Sequence, residues 1–295
     1  MSTAQVQRAA EFIWLTGRVL DQRRLEYYLD ESRTAREGVL AALAGFATSD
    51  GAYAYGLEPD IKGPVPQPIT AMTALRLLDE IDALDEGRAE AINRWLGRQV
   101  TGDGGIPALV PAAHDYPRPP WIEPPAEPLG SLLPTARIAG LLFKHGVTAP
   151  WLPAATEFCW AALDAMTATH PYEVHCCVVF LDHVPDRGRA AKSADRLGEL
   201  VRDQEMFQGR RVAPGYAETE FHYAYDFAPT PDSVGARWFT EAEMTSSLDK
   251  LAADQRDDGG WQISWRRWAP TTEIEARPGL TIERLRTLRA WGRPA

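Results

Sequence analysis

"LAADQRDDGGW", residues Leu251 to Trp261, is the stretch whose reading decides the fold. Leu248, Leu251 and Ala252 recur at helical spacing, and two consecutive glycines supply the positive φ values that end a helix. The stretch predicts a helix that stops at Gly259 and Gly260 and then presents Trp261. The same plan recurs upstream, in "LAGFATSDGAYAYG" with Asp50-Gly51 and in "WLGRQVTGDGGIP" with Asp103-Gly104-Gly105. The separations are 53 and 155 residues, the second close to three times the first. "LVRDQEMFQGRRVAP", with Gln204 and Gly209, reads as a degenerate copy about one period before the last stop, and the copy near position 155 is not recognisable.

Two helical patterns lie between successive stops. "PITAMTALRLLDEIDAL" places Ile69, Met72, Leu75, Leu78 and Ile81 on one face, and "AEAINRWLGRQ" follows as a second helix. Repeated hairpins of this kind need neighbours to bury their apolar faces, so about six of them predict an all-α chain. An open solenoid and a closed (α/α)6-type toroid, spanning 1–295 as a single domain, both satisfy the pattern. Small residues in "TARIAGLL" suit an inner helix ring around a central cavity.

Composition narrows the partners. The formal charge of −10 comes from 31 basic and 41 acidic residues with scattered arginines, which argues against nucleic acid. No apolar run approaches the roughly 20 residues of a bilayer span, and "MSTAQVQRAAEFIWLTGRVL" lacks a signal-peptide core and reads as a first helix. Three cysteines, Cys159, Cys176 and Cys177, form no even framework, so a cytoplasmic location is expected.

"DQRDDGGW" resembles the Gln-and-Trp repeat motif of squalene–hopene cyclases, and "SDGAYAYGLEPDIKGPVPQPITAMTALRLL" resembles the Asp-Gly-Gly-rich loop and following helix of protein prenyltransferase β subunits. The chain is thus similar to the prenyltransferase and squalene-cyclase α/α-toroid superfamily, in particular to a compact, single-toroid actinobacterial branch. The resemblance implies glycine-rich turns that tie outer helices to the N-terminal ends of inner ones, with Gln255, Asp258 and Trp261 as a structural clasp. It implies a terpene-cyclase-like or prenyltransferase-like enzyme that binds an isoprenoid or polyene in an aromatic-lined cavity and cyclises it, as in natural-product biosynthesis. The Asp-x-Asp-Asp acid motif of proton-initiated cyclases is missing, and "DEIDALDEG" (Asp79 to Gly87) reads as a solvated helix end. No Asp-x-Cys zinc pair is found either, so neither metal nor cofactor is expected.

Candidate chemistry is sought where polar groups sit at inner-helix starts. "THPYEVHCCVVFLDHV" offers Glu173 and His175 as acid and base, with Tyr172 beside them; Cys176 and Cys177 diverge by about 100° and do not converge on one ion. "GLEPDIKGPVPQP" offers Glu58 to bind substrate and Asp60 as an acid. "FHYAYDFAPTPDS" offers His222, Tyr225 and Asp226, where an apolar wall is expected to raise the carboxyl's pKa and make Asp226 the preferred catalytic acid. On that expectation Asp226→Asn abolishes activity with thermal stability nearly unchanged. Trp121, in a Pro-rich segment expected to form a lid or rim, and Trp265 are expected to contact substrate or a developing cation. Two other readings stay open: a glycan-active toroid with two opposed carboxylates across a groove, and a non-catalytic lipid-binding or scaffold toroid.

Overall fold

The computed structural model describes residues 3–293. Among these, the chain runs through α1 (Thr3–Thr16), α2 (Val19–Leu29), α3 (Arg33–Ala44), α4 (Pro68–Glu80), α5 (Glu86–Gly97), α6 (Leu132–Lys144), α7 (Leu152–Ala165), α8 (Pro171–His183), α9 (Arg187–Asp203), α10 (Ala224–Phe227), α11 (Glu241–Ala253) and α12 (Pro270–Ala290). The bridge between Ala47 and Tyr53 belongs to no strand. The helices predicted over "PITAMTALRLLDEIDAL" and "AEAINRWLGRQ" are present as α4 and α5, and α12 runs through Pro278. The chain divides into two compact units, one from Leu43 to Leu197 and the other from the residues up to Ala42 with those from Gly198 onward.

In the Leu43–Leu197 unit, α6 packs against α4, α7 and α8. Gly140 of α6 lies so close to α8 that a Cβ there would sit 2.5 Å from the Val179 carbonyl oxygen. The small residues Ala136, Ala139 and Gly140 permit this approach, while Ile138, Leu141 and Leu142 are buried. Each such burial is worth about 1.5–3 kcal/mol relative to exposure. Asp79, near the end of α4, pairs with Lys144 (2.6 Å) and His145 (2.7 Å) at the end of α6, so the two helices run parallel. Asp79 is thus engaged and mostly buried, unlike the solvated helix end expected, whereas Asp82, Asp85 and Glu86 are exposed.

The predicted repeat is visible in hydrogen bonds. In three loops the same two backbone bonds recur: Thr48 N–H to Ala52 O and Gly51 N–H to Thr48 O; Thr101 N–H to Gly105 O and Gly104 N–H to Thr101 O; Arg256 N–H to Gly260 O and Gly259 N–H to Arg256 O. Gly51, Gly104 and Gly259 have φ of 87°, 88° and 90°, which only glycine adopts readily. Each presses on a neighbouring helix, with a hypothetical Cβ at 2.6 Å from Ala91, 2.9 Å from the Ala154 carbonyl and 2.1 Å from the Arg8 carbonyl. Two residues beyond each glycine, a threonine engages the backbone: Thr70 donates to Tyr53 O, Thr135 accepts from Ile106 N–H, and Thr281 accepts from Trp261 N–H. Gly209 departs from the plan, since its N–H goes to His222 O.

In the other unit α12 packs against α1, α2 and α11. Tyr28 of α2 donates to Leu285 O (3.4 Å), and the Arg289 guanidinium lies 3.5 Å from the Tyr28 ring centroid. The opening motif works as the clasp expected of it. Gln255 donates to Gln5 O and Gly259 O and accepts from Arg8, Trp261 Nε1 donates to Leu251 O, and Arg277 grips both oxygens of Asp258 at 2.8 Å.

Candidate functional site

Two clusters hold most of the predicted residues, one in each unit. The first is built on parallel α4, α6 and α8. Arg137 of α6 lies close to the Cys176 thiol of α8, Gly140 meets Val179, and Thr73 of α4 donates to Glu58 Oε2 at 3.1 Å. One turn before Cys176, Glu173 accepts from Thr169 Oγ1 at 2.7 Å through Oε2, and its other oxygen takes no partner among the described residues. Glu173 edges an open groove of about 390 Å³ walled by Leu132, Phe158, Ala162 and Met166. Tyr172 and His175, both half-buried, meet edge to face at 6.0 Å. Burial pushes the Cys176 thiol up, against the pull of Arg137, and burial also raises Cys177 and Cys159. These thiols are neutral packing groups.

Asp60 is half-buried in the loop where Ile61 N–H bonds Glu58 O, beside a small apolar cluster of Ile61, Leu109 and Ala113. Trp121 is 42% exposed. Its Pro-rich segment is ordered by Arg118, which donates to Ile122 O and His114 O.

The second cluster forms around α10. Asp226 is nearly buried, but its surroundings differ from the apolar wall expected: Oδ1 accepts from Arg284 Nη1 of α12 at 2.7 Å and Oδ2 accepts from Tyr223 N–H at 2.9 Å. His222 Nδ1 stands 3.9 Å from Oδ2, beyond hydrogen-bond length, so the expected relay is not formed. Burial alone would lower Arg284, yet the Asp226 carboxylate and Tyr225 hold it above its ordinary value. Tyr225 stacks on Tyr223 at 5.7 Å, lies 4.9 Å below Arg284, and is pushed well up by burial. Asp226 occupies the third position of its helix, where Thr70 stands in α4 and likewise accepts the N–H of the capping residue, Gln67. The geometry gives Asp226 an anchoring job. Trp265 is half-buried in the loop after the clasp.

Sequence reading missed the partners that define both clusters. Arg284 is one of four arginines in α12 and Arg137 one of two cations in α6, and no motif marks either. It also missed Asp21, fully buried in α2, which accepts from Arg18 N–H (3.2 Å) and Arg24 (3.4 Å) and repeats the third-position arrangement of Asp226. Cations recurring on helices otherwise destined for the core were the available signal.

The architecture is that of a terpene-cyclase-like all-helical fold, consistent with the predicted (α/α)6-type toroid. The structure is similar to a crystal structure of a protein from Actinoplanes, with a TM-score of 0.62 at 17% identity over 99% of this chain and 100% of that one. It is also similar to a variant of the type II terpene cyclase MstE from Scytonema in complex with its substrate geranylgeranyl dihydroxybenzoate, with a TM-score of 0.57 at 12% identity over 97% and 95%. A complex of another MstE variant with the product merosterolic acid A gives 0.54 at 13% identity over 97% and 94%. No family model and no curated protein matches the sequence. Among the described residues no helix is long and apolar enough to cross a membrane.

Proposed function

We propose that this chain is a terpene-cyclase-like enzyme, one toroidal domain, that takes an apolar isoprenoid or polyene and cyclises it by acid catalysis without a cofactor. The observation that carries the reading is the full-length likeness to a type II terpene cyclase captured with both substrate and product. Among the candidate acids, Glu173 suits the role best. It has an oxygen without a partner and borders open volume, whereas both oxygens of Asp226 are committed. In this reading Glu173 protonates an alkene carbon, the resulting cation is attacked by a second double bond, and loss of a proton from a neighbouring carbon leaves a cyclic isomer of the substrate. Tyr172 offers a ring face to the cation, and His175, beside it, takes the departing proton. Asp60 and Glu58 lie in the loop preceding α4 and serve as further polar contacts.

Incubating the full chain with linear isoprenoid alcohols, acids and diphosphates, with products read by gas chromatography and mass spectrometry, tests this. A product isomeric with its substrate is expected, and Glu173→Gln is expected to lower its formation by about 100-fold or more. Conversion unaffected by Glu173→Gln would remove Glu173 from the reaction.

A further inference from the structure

The third residue of a helix has a repeated task in this protein. In α2, α4, α10 and α11 that residue is Asp21, Thr70, Asp226 or Glu243, and its side chain accepts the backbone N–H of the capping residue. Such bonds satisfy donors that a helix start leaves open. Glu173 holds the same position in α8, yet among the described residues it makes no bond to the capping residue, His170. Its carboxyl is turned to the groove it edges, and the hydrogen bond it takes comes from a side chain, Thr169 Oγ1 to Oε2 at 2.7 Å. Thr169 is half-buried and directly follows Met166, Thr167 and Ala168, which wall that groove. The pair therefore departs from the capping role that the other four helices give this position.

We infer that Thr169 is the positioning residue for Glu173: it turns the carboxyl into the groove and sets which oxygen carries the proton. The inference rests on the cyclase reading above and adds the group that prepares its acid. A hydroxyl that donates to Oε2 makes that oxygen the carbonyl of the neutral acid, so the proton sits on Oε1. In the first step the Oε1–H bond breaks and its electron pair stays on Oε1 as a carboxylate. The π pair of the alkene forms the new C–H bond, and the other alkene carbon becomes the cation. As charge develops on Glu173, the bond from Thr169 becomes charge-assisted and roughly twice as strong. That gain belongs to the transition state and not to the bound substrate, so its loss falls on kcat and leaves KM alone.

The test uses the full chain as wild type, Thr169→Val and Thr169→Ser, with circular-dichroism melts confirming that each is folded. Valine keeps the branched shape without the hydroxyl, and serine keeps the hydroxyl. Steady-state rates are measured on farnesol, farnesoic acid and farnesyl diphosphate. Thr169→Val is expected to lower kcat about tenfold at unchanged KM, with Thr169→Ser retaining most of the wild-type rate. An unaltered kcat in Thr169→Val, a loss shared equally by Thr169→Ser, or a change in KM alone overturns the assignment. A second readout needs no turnover: infrared difference spectra, in which the carboxyl stretch of Glu173 is identified by its absence from Glu173→Gln. That band is expected to move in Thr169→Val and to keep its wild-type frequency in Thr169→Ser. If none of the three compounds is turned over by the wild type, the cyclase reading fails by itself. A band that moves in Thr169→Val alone then upholds Thr169 as the residue that sets the Glu173 carboxyl, and a band indifferent to that change refutes it.

Discussion

At the scale of single residues, Gly259 is the most constrained position in the opening motif. Its φ of 90° and a hypothetical Cβ 2.1 Å from the Arg8 carbonyl combine backbone strain with a clash against main chain that has nowhere to move. Gly259→Ala is expected to cost about 3 kcal/mol or more in urea denaturation, whereas Gly292→Ala, at φ 63° with nothing within 4 Å, costs about 1 kcal/mol. Asp226 carries a second prediction at this scale. Asp226→Asn leaves Arg284 without its carboxylate in a mostly buried setting and is expected to destabilise by about 2–4 kcal/mol, opposite to the near-neutral outcome the sequence suggests. A double-mutant cycle with Arg284→Gln should show strong coupling, and additive losses would mean that the pair contributes little. The sequence displayed Asp226 and its aromatic neighbours, but Arg284 lies 58 residues further on. Nothing local marks that pairing, so the sequence by itself shows only the carboxyl's aromatic neighbours.

At the scale of elements, the helix pairs and their loops follow from local rules. Pro68 at the first position of α4 and the capping box of Thr240 and Glu243 at α11 are start signals legible in the chain, and the apolar spacing of α6 and α8 predicts their extents. The contact at Gly140 follows from small residues but not its register against Val179. Gly140→Ala is expected to force α6 from α8 and cost about 1–3 kcal/mol. The loops add a pH dependence. Burial alone would raise Asp103 and Asp258, but hydrogen bonds outweigh it, from Thr101, Gly105 N–H and Gly130 N–H at Asp103 and from Arg277 and Gly260 N–H at Asp258, and both carboxyls lie below their ordinary value. A depressed folded-state pKa contributes stability that is complete above the unfolded value of about 4 and is lost as the pH falls through the folded one. Urea midpoints should therefore fall below about pH 4 by less in an Asp103→Asn, Asp258→Asn double variant than in the wild type. An identical acid profile would assign the loss to other carboxylates.

For the whole molecule, the fold was legible because it repeats: a stop motif with one glycine geometry, read three times, implies hairpins, and hairpins imply an all-helical stack. The weak fourth copy was legible in composition only, since Gly209 bonds His222 in place of its own loop. Chemistry does not repeat, and Arg137, Asp21 and Arg284 became candidates only when folding gave them neighbours. The cyclase reading makes one atomic prediction. A cyclisation begun by protonation and ended by deprotonation takes its new hydrogen from the acid, and an acid in an open groove exchanges with solvent. In deuterium oxide the cyclic product is expected to carry a single deuterium bound to carbon, with the label lost along with turnover in Glu173→Gln. A product without deuterium, or labelled equally well by the Glu173→Gln variant, would contradict the account.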